Sequence, residues 1–271
     1  LGLIWLADDA PSLRTRRPFI HLLRGTLLFT AYTSFYLAIA AMALADVVAI
    51  AFSSPLIITM FAVFFLGEKV GLKRWAAITI GFVGVLFIVR PGAGVFEPAA
   101  LLAVICAVTY GAAQLLARQV GKVDGGAQMS LYATLVYVLF AGALYFVIGD
   151  GRYLTPDSHL SLQFLLRAWA WPEPLHFALM VATSVISAIG MFFLSQAYRL
   201  GEASAVSPFE YTGLIWALLF GYAIFGEVPG VLSLVGIVLI VGAGLAVIYR
   251  ERRRDSPIVT RRGRLRFRSG L

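Results

Sequence analysis

Long apolar runs alternate with short polar breaks along the chain. Eight runs come near the ~20 residues that a helix needs to cross a bilayer. They cover residues 19–41, 47–66, 74–90, 98–118, 128–149, 174–198, 203–225 and 230–249. The third is short, but Lys73, Arg74 and Arg90 bound it, and their long side chains can reach the two interfaces. Pro18, Pro98 and Pro174 stand just inside three of the starts, where a helix tolerates proline because its first N–H groups lack an intrahelical partner. The sequence lacks the roughly ten-residue alternating segments of a transmembrane barrel. The pattern therefore predicts an all-α polytopic membrane protein with eight complete spans. The opening "LGLIWLA" is apolar but too short to span. It reads as the last turns of a ninth helix, so the N-terminus is expected to be truncated here.

The breaks carry the next signal. When loops are assigned alternately to two sides, nineteen of the 22 Lys and Arg residues fall on one side. Only Arg90, Arg152 and Arg167 fall on the other. Excess Lys and Arg marks the cytoplasmic side, so the arginine-rich tail from Arg250 onward is expected there. Residues 150–173 form the one long outer loop, and its amphipathic "SLQFLLRAWAW" is expected to lie along the interface.

Composition agrees. Of 271 residues, 60% are hydrophobic and 13% charged, and the mean hydropathy is +0.87, whereas soluble domains are about 45–50% apolar. The net charge of +8 would suggest nucleic acid in a soluble protein. Here the charge is concentrated in the tail, which reads as a topology determinant touching anionic headgroups, so the lipid bilayer is the partner and nucleic acid is not. A single cysteine, Cys106, excludes an intrachain disulfide or a CxxC metal or redox motif. His21, His159 and His176 are scattered, and no HExxH, GxSxG or carboxylate pair lies within a span. The chain reads as no enzyme, with no metal and no cofactor.

Two segments resemble each other. "FFLGEKVGLKRWAAITIGFVGVLFIVR" runs from Phe64 to Arg90, and "AIFGEVPGVLSLVGIVLIVGAGLAVIYR" from Ala223 to Arg250. Each has an apolar helix ending in Gly-Glu, a short turn, and a glycine-bearing helix ending in Arg. Five helices lie between Glu68 and Glu227. Five is odd, so the glutamates face opposite sides and the repeat is inverted, as in many secondary transporters with a midplane site. The expected organisation is a partial first repeat at 1–92, a second at 98–250 and a basic cytoplasmic tail at 251–271.

"YLAIAAMALADVVAIAFSSPLIITMFAVFFLGEKVGLKRWAAITIGFVGVLFIVRPG" (Tyr36 to Gly92) resembles the first EamA domain of the drug/metabolite transporter superfamily. "SQAYRLGEASAVSPFEYTGLIWALLFGYAIFGEVPGVLSLVGIVLIVGAGLAV" (Ser195 to Val247) resembles the second. The resemblance implies ten helices in two inverted five-helix repeats, both termini cytoplasmic, in a carrier of small metabolites. The Pro-Phe-Glu-Tyr variant is similar to the branch that includes S-adenosylmethionine carriers.

Glu210 is the outstanding candidate, because an ionised acid at mid-membrane costs about 2.5–3.5 kcal/mol even on the lenient insertion scale. Its helical neighbours Ala203, Ser207, Gly213, Leu214 and Ala217 make a small-sided face that should point into the bundle. It can serve as counter-charge to an amine-bearing substrate, as a proton-coupling group, or as a structural partner of Arg24, Arg199 or a tyrosine. Tyr211 adjoins it. Pro55 and Pro208 free the carbonyls of Ala51 and Ser204, giving a hinge, a cavity lining or a fixed kink. Tyr36, Ser54, Tyr110, Gln114, Ser187 and Gln196 can complete a substrate site, or serve only as interhelical hydrogen bonds. Arg24 reads as a snorkelling anchor. The glycines of "AITIGFVGV" and "VGAGLAV" read as sites of close helix approach. The expected function is secondary-active transport, in a bacterial inner membrane, of an amino acid, amine or S-adenosylmethionine-like compound by alternating access. The alternative is a non-transporting scaffold or accessory subunit. A homodimer is an allowed assembly.

Overall fold

A computed structural model describes residues 15, 17–66, 71–89, 97–120, 124, 126–200 and 212–254. The helices described are α1 (Pro18–Ile39), α2 (Leu44–Ala51), α3 (Ser54–Leu66), α4 (Leu72–Val89), α5 (Ala99–Val120), α6 (Gly126–Ile148), α7 (Leu160–Leu166), α8 (Pro174–Leu200), α9 (Thr212–Phe225) and α10 (Val231–Arg254). The described residues contain no strand. Four stretches are long and apolar enough to cross a membrane: Pro18–Ile39, Leu44–Phe65, Ala99–Ala117 and Gln128–Ile148. Shorter apolar helix covers Trp75–Val89, Pro174–Gly190, Thr212–Phe225 and Val231–Ala246. "LGLIWLA", Glu68, Arg90 and the chain beyond Arg254 lie outside the described residues.

The run at 47–66 is divided. It begins earlier than the pattern suggests, at Leu44, and breaks at Phe52–Ser53 between α2 and α3. Pro55 has no N–H to offer the Ala51 carbonyl, and its ring crowds the preceding turn. Ser53 bridges the break: its N–H and its Oγ both donate to the Ile50 carbonyl, at 3.0 and 2.7 Å. The outer-loop segment contains a short helix. Only Leu160–Leu166 is helical, and Ser161 Oγ docks it onto the end of α1 by donating to the Leu37 carbonyl at 2.7 Å. Trp171, beyond it, is 94% exposed.

The largest cluster of buried apolar side chains gathers around α2. It joins Ala38 of α1, Val47 and Ile50 of α2, Val85 and Ile88 of α4, Ala103 of α5, Leu214 of α9 and Ile240 of α10. An eight-residue helix cannot bury much alone, so its fixed position comes from packing on all sides.

The most extensive helix pairings are α4 with α10 and α1 with α5. At the first, a Cβ on Gly84 would come within 2.7 Å of the Gly236 carbonyl oxygen, and a Cβ on Gly236 within 2.6 Å of the Gly84 carbonyl oxygen. Gly81 meets Ala243 while Gly84 meets Ile240 and Gly236, so α4 and α10 run antiparallel. The first glycine-bearing segment therefore acts as the pattern suggests. On α10 the backbone contact is made by Gly236, while in "VGAGLAV" Ala243 meets Gly81 and Gly242 faces open space. Composition marks glycines as permissive, but the crossing register selects the one that meets a neighbouring backbone. A branched side chain here must displace backbone. Gly84→Val and Gly236→Val should each destabilise the protein by about 1–3 kcal/mol. Gly242→Val should be near neutral, and thermal melts in detergent monitored by monodispersity check the contrast.

Candidate functional site

A polar and aromatic cluster sits where α1, α5 and α6 meet. Arg24 stands on α1, roughly 9 Å along the axis from Pro18 at ~1.5 Å rise per residue. Its Nη1 donates to the Met129 carbonyl of α6 at 3.3 Å. The phenols of Tyr110 of α5, Tyr32 of α1 and Tyr137 of α6 lie within electrostatic range of Arg24. The Tyr137 hydroxyl donates to the Leu28 carbonyl at 3.1 Å, which ties α6 to α1. Its ring centroid lies 6.2 Å from Tyr32 and 5.5 Å from Phe29, edge-on, and Phe29 stacks on Phe140 at 5.1 Å. Such pairs contribute about 0.5–1.5 kcal/mol each beyond their buried area. Close approach of α1 and α6 needs Gly25, where a Cβ would stand 2.8 Å from Val136.

One turn toward the start of α1, His21 is 1% exposed. It stacks on Tyr132 at 4.8 Å and its Nε2 lies 2.8 Å from Asp124 Oδ2. Thr15 Oγ1 donates to the same oxygen at 2.7 Å. Asp124 lies in the connection from α5 to α6, so this triad fastens that connection to the start of α1. The hydrogen bond from Thr15, then that from His21, holds the Asp124 carboxyl below the usual carboxylate range.

At the other end of α1, further polar links converge on the start of α2. Glu227 Oε2, in the connection from α9 to α10, accepts the Leu44 N–H at 2.9 Å. This satisfies one of the N–H groups that a helix start leaves without a partner. Ser233 Oγ of α10 donates to Asp46 Oδ2 at 3.3 Å. Nearby, His159 Nδ1 accepts the Ser161 N–H at 3.3 Å, so Nε2 carries the proton it donates to Glu97 at 2.6 Å. That bond joins the starts of α7 and α5.

Of the candidates named from sequence, Tyr110 comes within electrostatic range of Arg24. Tyr36 lies on α1, 58% exposed, edge-on to Phe35 at 5.9 Å. Ser54 is buried at the break before α3, beside Pro55. Gln114 sits one turn beyond Tyr110 on α5, partly buried. Ser187 is exposed on α8 and is not brought to the cluster. Gln196 falls on α8, but its side chain, together with Pro208, Glu210 and Tyr211 entire, lies outside the described residues. Pattern reading passed over Asp124, Asp46, Tyr132 and Tyr137. Asp124 and Asp46 stand near the ends of apolar runs, where ionisable residues are ordinary. Only their acidic character beside apolar runs hinted at a role.

The groove of about 280 Å³ between α4 and α10 is lined by Ala76, Ile80, Leu239 and other apolar residues. It suits an acyl chain, not a polar metabolite, so the polar cluster on α1, α5 and α6 is the better site.

The sequence profile of the EamA-like transporter family matches residues 1–90 and 97–250. The chain is 28% identical over 242 residues to the S-adenosylmethionine uptake transporter of Rickettsia conorii, covering 89% of this chain and 76% of that one. It is 28% identical to the riboflavin transporter of Rhizobium johnstonii, covering 90% and 74%. A solved crystal structure, 19% identical, shares the fold at a TM-score of 0.57 over 89% of this chain.

Two outcomes follow from the polar links. A carboxylate with a lowered pKa stabilises the fold while ionised, and that contribution is lost as pH falls through the folded-state value. Melting temperature should therefore drop as pH falls through and below the usual carboxylate range, and Asp124→Asn should flatten that drop. Glu227→Ala removes a helix-start acceptor and should cost about 1 kcal/mol of stability in a thermal melt.

Proposed function

The chain belongs to the EamA-like transporter family, and we propose that it is a secondary carrier that moves a small polar metabolite across a bacterial inner membrane by alternating access. The observation that carries this reading is the family match over both halves of the chain. The protein is a multi-pass membrane protein of a transporter family, not an enzyme.

The proposed architecture is eight spans in two inverted repeats, 1–92 and 98–250, with the basic tail at 251–271 in the cytoplasm. Three observations support it: the paired "LGE" and "FGE" segments, the nineteen-to-three distribution of Lys and Arg, and the antiparallel contact of α4 with α10. Each of those two helices closes one repeat in this scheme, so their crossing is an interface between repeats. In the same scheme the Thr15–His21–Asp124 triad closes the cytoplasmic end and the Glu227–Leu44 bond the outer end. Alternating access then means exchanging these links in turn, with the divided helix at Pro55 as a hinge.

The substrate class is an amino acid, an amine or an S-adenosylmethionine-like compound. Relatives named for S-adenosylmethionine and riboflavin support a solute with a planar ring. Glu210, with Tyr211, is the proposed counter-charge or proton-coupling group, and Tyr36, Tyr110 and Gln114 the proposed polar wall.

A thermal-shift screen against amino acids, S-adenosylmethionine, riboflavin and amines should single out a ligand, since binding at a hundred times Kd adds about 2.7 kcal/mol. In vesicles that compound should show saturable uptake and counterflow. Glu210→Gln should abolish transport or its pH dependence with expression unchanged. Wild-type transport by that variant would refute the role of Glu210, and absence of flux from the wild-type protein would favour a scaffold.

A further inference from the structure

Arg24 is a membrane-embedded cation whose bonding is incomplete. Its Nη1 makes one long bond, 3.3 Å, to the Met129 carbonyl. Its Nε is buried and has no hydrogen-bond partner among the described residues. The described ionisable groups within electrostatic range of it are the phenols of Tyr110, Tyr32 and Tyr137, with no carboxylate among them. Asp124 does not serve it: that carboxylate is engaged by hydrogen bonds from Thr15 and His21, and Arg17 is a cation acting on it. A guanidinium has five N–H donors, and its Nε edge is the side that receives a carboxylate through two parallel bonds. A snorkelling arginine buries its aliphatic stem and wets its nitrogens. Here a nitrogen is buried instead.

The surroundings restrict what would complete it. The rings of Tyr32 and Tyr137 lie 6.2 Å apart, and Tyr137 is braced by Phe29 and by its bond to the Leu28 carbonyl. Tyr32 stands two turns along α1 from Arg24 and is partly exposed, so an aromatic surface on the same helix can be reached. A fixed cation next to an aromatic wall matches a planar molecule that carries an oxyanion.

We infer that Arg24 is the anion anchor for the carried solute: its Nε edge receives a carboxylate, while the planar part of the same molecule rests on Tyr32 and Tyr137. The inference rests on the carrier reading above and adds a charge requirement to it. A metabolite with both an amine and a carboxylate is then held by opposite groups, the carboxylate on Arg24 and the amine on the proposed Glu210. A lipid headgroup phosphate shares the oxyanion chemistry and must be separated by experiment.

The test uses the full-length protein in phosphatidylcholine vesicles, with S-adenosylmethionine and its decarboxylated analogue as paired probes that differ only in the carboxylate. Wild-type protein should bind the carboxylate form about tenfold or more tightly. Arg24→Gln should bring the ratio close to one, and Arg24→Lys should restore part of it. Equal binding of both probes by the wild type, or of neither, overturns the anchor. Riboflavin bears no oxyanion at neutral pH, so any wild-type uptake of it should persist in Arg24→Gln; loss of that uptake as well would overturn the anchor in favour of a structural role and leave the carrier reading intact.

A second arm needs no solute. An anchor awaiting its ligand is an uncompensated charge, so ligand-free Arg24→Met should melt at or above the wild-type temperature. A clear fall, as loss of a pairing with Glu210 would produce, overturns the proposal. So does stabilisation of the wild type, but not of Arg24→Met, by adding phosphatidylglycerol to the vesicles, because the anion would then be a headgroup.

Discussion

The backbone-to-backbone contact of Gly84 with Gly236 is the constraint on which the rest of the bundle depends. Inside a bilayer, lipid chains are as apolar as leucine, so helices gain little by hiding apolar surface from each other. They gain from close packing, and that requires a place where two backbones can touch. α4 and α10 have such a place, with the carbonyl oxygen of each glycine standing where the other would carry its Cβ. Around it Gly81 meets Leu56 and Ala243, and Ile88 and Ile240 fill the flanks. The same contact brings Val85, Ile88 and Ile240 to α2, where the apolar core gathers.

α2 converts this packing into a polar junction. It is short because Pro55 interrupts the run, and its start is held by groups distant in sequence. Glu227 caps Leu44, and Ser233 bonds Asp46. Both partners flank the start of α10, so the helix pair fixed by glycines also positions the donors and acceptors that hold α2. A carboxylate at a helix start is favoured twice, by the unbonded N–H groups and by the positive end of the helix dipole. The molecule thus has polar fastenings at both ends of α1, with Arg24 and the tyrosines between them.

That arrangement gives the middle of the bundle a distinct chemistry. The end clusters are built from paired groups, such as Thr15 and His21 on Asp124 and His159 with Glu97, although His21 Nδ1 is buried with no hydrogen-bond partner among the described residues. Arg24 Nε lacks one too, and it belongs to a permanent cation. Satisfied networks fix structure, whereas an incompletely bonded cation in a low-dielectric setting is costly without a partner and attractive to one. A carrier needs both kinds of site: ends that lock and a centre that accepts.

The sequence by itself determined the helical class, most of the apolar runs and the place, at Pro55, where one of them loses a backbone hydrogen bond. Hydrophobicity, proline geometry and glycine size act locally, so they can be read without knowing what lies opposite. The tyrosines of α1 and Tyr110 were also legible, since polar rings in apolar helices stand out. What only the tertiary structure decided is which residues meet. Gly236, not Gly242, lies against Gly84, and Asp124 closes on His21 across more than a hundred residues of chain. Arg24, read from sequence as a snorkelling anchor, is a partly buried group whose Nε has no hydrogen-bond partner among the described residues. These depend on crossing register and helix rotation, which are set by the sum of packing over the whole bundle and leave no periodic trace in any one segment.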